Sequence, residues 1–79
     1  MTSIQLRQHA DDVDYVEQNY TTFKGRRGKL SQRKFAQSLN LAQSYISYVE
    51  NGKTSTMSAA VLRKVVEAYR SLSNGQGNP

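Results

Sequence analysis

Residues 30–53, LSQRKFAQSLNLAQSYISYVENGK, constrain this chain more than any other stretch. They read as two short helices joined by a tight turn. Ser31 is a good N-cap, because its hydroxyl accepts from the unpaired backbone N–H groups at a helix start. Residues 32–39 follow without Gly or Pro, and Phe35, Ala36 and Leu39 share one helical face. Asn40 tolerates the left-handed conformation that ends helices. Leu41 is apolar at the turn and pins it to a core. Residues 43–51 predict a second helix with Ile46 and Val49 inward, and Gly52 is its stop. The spacing packs the two helices at a steep angle around Ala36, Leu41, Ile46 and Val49, and Ala36 is small where they must approach.

That packing leaves Gln43, Ser44, Ser47 and Tyr48 facing outward. The plain reading of such a face is solvated surface. Gln, Ser and Tyr together also supply donors and acceptors with little charge, which suits base edges in a DNA groove. Lys53 and Thr54, just past the helix, are placed to hold phosphates.

Leu30-Ser31-Gln32, Phe35-Ala36, Leu39-Asn40-Leu41, Gln43-Ser44, Ile46-Ser47 and Glu50-Asn51-Gly52-Lys53-Thr54 together form a specific pattern. The stretch resembles the helix-turn-helix of the lambdoid phage repressor and Cro family, including the wider xenobiotic-response-element-like group of bacterial regulators. The resemblance continues more weakly through Tyr69. It implies that Gln32 touches a phosphate and that Gln43 and Ser44 read bases at the mouth of the recognition helix. Ser47 and Tyr48 would read bases or the flanking backbone, and Asn51 and Lys53 would clamp phosphates. Glu50 would form a structural ion pair with a basic residue near the end of the preceding helix. Two residues depart from the family pattern. Asn40 replaces the usual turn Gly. Ala42 stands where Ser or Thr usually caps the recognition helix, which forgoes a cap worth ~1 kcal/mol.

A chain of 79 residues allows one domain with one small core. Without Cys it forms no disulfide, and a single His leaves almost nothing for zinc, so no metal and no cofactor is expected. No apolar run approaches the ~20 residues of a membrane span, and no signal peptide is visible. The expected setting is cytoplasmic, on the nucleoid. The net charge of +5 favours a polyanionic partner. Its distribution is uneven: residues 1–23 carry Asp11, Asp12, Asp14 and Glu17 against Arg7, whereas the later acids are only Glu50 and Glu67.

Residues 1–10 have two readings, an arm or a helix extension. Thr2 and Gln5 fit a capping box; the acids Asp11, Asp12 and Asp14 instead favour a helix start at 11, because carboxylates stabilise a helix N-terminus. These acids read as a solvated helix start rather than a cation site, since no further oxygen ligands sit at loop spacing. His9 reads as surface, and Val13, Val16, Tyr20 and Phe23 as core. Residues 24–29, KGRRGK, read as a loop, either a solvated turn or a phosphate-contacting segment through Arg26 and Arg27. Arg33 adjoins Gln32 on the outer face of the first motif helix. Ser58 or Thr56 caps a fourth helix with Ala59, Leu62, Val65, Val66 and Tyr69 inward and Arg63, Lys64, Glu67 and Arg70 toward water. Residues 71–79, SLSNGQGNP, read as a disordered tail.

The expected fold is all-α, a four-helix repressor-type domain over residues 11–70. Family resemblance implies sequence-specific double-stranded DNA binding, with repression by operator occlusion. Relatives usually carry a fifth helix for dimerisation; here a homodimer would use Ile4, Leu6, the fourth helix or the tail. The alternative is an antitoxin-type interaction module, binding a protein partner through the acidic first helix as well as its own promoter. An enzyme is not expected: no nucleophile–base pair is evident, and KGRRGK lacks the strand and helix context of a P-loop.

Overall fold

The computed structural model describes residues 2–76, with side chains through residue 72. Four helices follow in order: α1 (Ser3–Arg27), α2 (Gln32–Ser38), α3 (Gln43–Glu50) and α4 (Ala59–Gln76). No strand occurs among the described residues. The all-α four-helix architecture is the expected one.

α1 starts at Ser3 rather than at Asp11. Gln5 N–H donates to Thr2 Oγ1 at 3.1 Å, and Thr2 N–H donates to Gln5 Oε1 at 2.9 Å. This reciprocal box satisfies two donors that a helix start otherwise leaves unpaired. The acids at 11, 12 and 14 therefore lie inside the helix. Asp11 and Asp14 are exposed, but Asp12 is 1% exposed. Arg63 Nη1 donates to its Oδ1 at 2.7 Å. Two expectations change here: Asp12 is not part of a solvated helix start, and Arg63 does not simply face water. Burial of a carboxylate demands such a partner.

Residues 24–27, expected as loop, form the last turn of α1. Gly25 inside a helix costs about 1 kcal/mol relative to Ala. Two effects offset it: Lys24, Arg26 and Arg27 complement the negative end of the helix dipole, and Arg27 is tied into the core as described below. The helix stops at Gly28, whose φ is 58° and whose N–H donates to Gly25 O at 3.1 Å.

The core gathers residues from all four helices and from the turn before α4: Val16, Phe23, Phe35, Ala36, Ile46, Val49, Met57, Leu62, Val65, Val66 and Tyr69. α1 packs along α4 and also meets α3, while α2 packs on α3. The centre is aromatic. The rings of Phe23 and Tyr69 stack at 4.0 Å between centroids, and Phe35 tilts against Tyr69 at 5.0 Å. Val13, Tyr20, Leu39 and Leu41 pack around this cluster, half-buried. α4 is capped by Ser58, whose Oγ accepts from Val61 N–H at 3.2 Å. It runs through Gln76, and residues 77–79 of the expected tail lie outside the described residues.

Candidate nucleic-acid interface

Local chemistry sets the two motif helices. Ser31 Oγ accepts from Lys34 N–H at 3.1 Å and starts α2. Asn40 adopts φ 60°, and Leu41 N–H turns back to Ala36 O at 2.9 Å, which reverses the chain over the small Ala36. α3 begins behind Ala42 with no side-chain cap. It ends at Gly52, φ 72°, where Gly52 N–H donates to Val49 O and Lys53 N–H donates to Tyr48 O at 2.8 Å.

With Ile46 and Val49 fully buried, α3 exposes Gln43, Ser44 and Tyr48 and half-buries Ser47. Tyr48 is 41% exposed, high for a large aromatic ring on so small a domain. Lys53 and Arg33 are exposed, and Thr54 is half-buried. Asn51 is exposed with its amide turned back onto Ser47 O at 2.8 Å. Gln43 Nε2 lies 3.3 Å from Gln32 Oε1, so the first residues of the two motif helices meet at their tips.

Behind that tip sits a polar cluster around Glu50. Arg27 donates through Nε to Oε2 at 2.5 Å and through Nη2 to Oε1 at 2.9 Å, and its Nη1 caps Leu30 O at 2.8 Å. Gln32 Nε2 donates to Oε1 at 3.0 Å, and the Tyr69 hydroxyl donates to Oε2 at 2.6 Å. The ion-pair side chains are each 8% exposed. Burial pushes the Glu50 carboxyl upward, but the hydrogen bonds from Arg27, Tyr69 and Gln32 outweigh it, and the group lies below its usual value. The Glu50 hydrogen bond raises the Arg27 guanidinium above its usual value. Burial first, then the hydrogen bond to Glu50, holds the Tyr69 phenol far above its usual value.

Arg27 is thereby withdrawn from the phosphate-contacting set: both faces of its guanidinium fork are occupied inside the fold. The resemblance implied an ion pair for Glu50; its partner is in the last turn of α1, not in α2, the helix just before it. Arg26 is also engaged internally. Its Nη1 donates to the Tyr15 hydroxyl and its Nη2 to Asn19 Oδ1 at 3.3 Å, with the guanidinium 5.4 Å from the Phe23 ring centre. Arg70 covers the Tyr15 ring at 4.2 Å. Helical periodicity places Tyr69 in the core but does not show the partner of its hydroxyl, which is Glu50. The signal in the sequence is its residue type: a buried Tyr needs a partner for its O–H.

A capped helix, a left-handed turn and a second helix with an uncharged polar face define a helix-turn-helix protein, a DNA-binding class. The family described as helix-turn-helix domain matches residues 5–72, a span that holds α2 and α3 and most of α1 and α4, and the chain belongs to that family. No curated protein and no solved structure matches it. No helix among the described residues is long and apolar enough to cross a membrane.

Proposed function

We propose that this chain is a sequence-specific double-stranded DNA-binding transcriptional regulator of the lambdoid Cro-like kind, repressing by occluding its operator. The observation that carries this reading is the exposed face of α3. Gln43, Ser44 and Tyr48 stand out from a helix whose opposite side is fully buried. With Ser47 they read bases. Gln32, Arg33, Asn51, Lys53 and Thr54 hold the flanking phosphates, which set register without carrying sequence information. Arg26 has partners of its own on α1 and is a weaker candidate.

One short helix reads few base pairs, so the protein acts as a homodimer on inverted half-sites ~34 Å or about 10 base pairs apart. Selection from random duplexes, then footprinting and sedimentation, tests this. A selected inverted repeat bound by a dimer supports it; a monomer on single half-sites refutes the dimer, and no sequence preference refutes specific recognition. Exposed Asp11, Asp14 and Glu17 on α1 favour a second reading, an antitoxin-like protein partner for this helix. Co-purification of a basic partner that α1 charge-reversal variants lose is its test.

A further inference from the structure

We infer that the hollow between the first turns of α1 and the start of α4 binds a small organic cation that carries N–H donors, an alkylammonium or alkylguanidinium, independently of the DNA reading of α3. The hollow measures about 440 Å³. Its walls include Gln8, His9 and Asp12 from α1 and Ala59, Ala60 and Arg63 from α4.

Among the described residues, two buried side-chain atoms have no hydrogen-bond partner, His9 Nδ1 and Asp12 Oδ2, and both residues line this hollow. Buried polar atoms are nearly always paired. Asp12 is 1% exposed, so its second oxygen is costly to leave without a donor. The fold explains why that oxygen is left over. Arg63 gives Nη1 to Asp12 Oδ1 at 2.7 Å and Nε to Glu67 Oε1 at 2.9 Å. A guanidinium can grip both oxygens of one carboxylate through two parallel N–H bonds. Divided between two carboxylates, Arg63 takes only one oxygen of Asp12. Its single positive charge also faces two negative ones, which leaves a further cation to be accommodated. Arg7 and Arg70 do not line this hollow; with Asp11 they line a neighbouring one.

These acceptors select the ligand. Asp12 Oδ2 only accepts, and Nδ1 of a neutral imidazole accepts when the ring proton is on Nε2. A positively charged group with two N–H donors satisfies both. A metal ion fits poorly, since among the described residues no three His, Cys, Asp or Glu side chains gather to hold one. Water pairs Oδ2 without offsetting its charge, and one water occupies only about 30 Å³. The methyl groups of Ala59 and Ala60 offer an alkyl chain an apolar wall. The volume falls within the roughly 300–1,000 Å³ of small-molecule sites.

His9 is the one histidine of the chain, so its imidazole signals report on this hollow without overlap. The test is an NMR titration of the whole chain at constant pH and ionic strength with ethylguanidinium, propylamine and tetramethylammonium, the last a cation without N–H donors. Ethylguanidinium or propylamine should shift the His9 signals saturably, with a dissociation constant on the order of 1 mM for ligands of so few atoms. Either should raise the melting temperature as occupancy rises. Tetramethylammonium should do neither. Asp12→Asn removes the charge, and Ala59→Leu fills the hollow from α4 while keeping Asp12. Each should weaken binding about tenfold or more. The absence of a saturable shift means that water alone satisfies Asp12, and overturns the site. An equal response to tetramethylammonium overturns it too, as does wild-type affinity in either folded variant. Should Asp12→Asn fail to fold, Ala59→Leu, at a half-buried position in the first turn of α4, decides the question unaided.

Discussion

The Tyr20 ring lies directly over Gly52: a Cβ at residue 52 would come within 3.2 Å of Tyr20 Cδ1 and Cε1. Gly52 also adopts φ 72°, which L side chains rarely take. Backbone and space thus both demand Gly here. Gly52→Val should lose stability on the order of 1–3 kcal/mol from backbone strain, before any displacement of Tyr20. In a domain of this size each 1 kcal/mol shifts the melting temperature by about 4–8 °C. An unchanged melting temperature would mean that residue 52 is not left-handed.

Arg27 and Glu50 make a contrasting case, because their charge serves the interior. Arg27→Met leaves a buried carboxylate without its main partner and should cost about 3 kcal/mol of folding stability. Under conditions where the variant is folded, its plot of log DNA affinity against log salt should keep the wild-type slope. Arg33→Ala should do the reverse: near-native melting, and a slope flatter by about one unit. A flattened slope for Arg27→Met would return Arg27 to the phosphate contacts.

The same cluster shapes the response to pH. Glu50 is held below its usual value near 4.5, so the unfolded chain binds its proton first as pH falls. Stability from this group is full above that value and is lost as pH drops through the lower folded value. Tyr69 is held above its usual value of 10.0, so above that pH the unfolded chain ionises while the folded phenol does not. Its contribution is lost as pH rises past that point. Melting temperatures across both limbs check this. Tyr69→Phe should remove its share of the alkaline loss, and an unaltered alkaline limb would argue against a buried neutral phenol.

Base reading and phosphate holding should separate by salt. Gln43→Ala should lose roughly 1–3 kcal/mol of operator affinity and almost none for random duplex. Lys53→Ala should weaken both duplexes alike and flatten the salt dependence by about one unit. Titrations of operator and random duplex at several salt concentrations make the comparison. Equal losses on both duplexes with equal slopes would remove Gln43 from the base-reading set.

The parts of this protein legible in its sequence are those governed by neighbours within a turn or two. Ser31, Asn40 and Gly52 mark the ends of α2 and α3 because a cap or a left-handed residue acts on the few peptide groups beside it. Ile46 and Val49 mark the buried face of α3 because helical periodicity places them there. Its exposed face, with Gln43, Ser44 and Tyr48, follows as the remainder. The start of α1 was half legible: the Thr2–Gln5 box and the acids at 11, 12 and 14 pointed to different residues, and the box prevailed.

Which charges act inside the fold was decided only in three dimensions. Residues 24–29 look like a solvated basic loop, yet Arg27 reaches Glu50, 23 positions away, and Tyr69 reaches the same carboxylate from 19 positions away. Arg63 neutralises Asp12 across 51 positions. No local period links such partners. Each pair forms because packing α1 and α4 against the motif takes a carboxylate out of water, and a carboxylate so buried must find donors wherever the fold brings them. Residue type and spacing determined α2, α3 and the outward face of α3; the tertiary arrangement alone decided which cations neutralise the interior and which stay exposed.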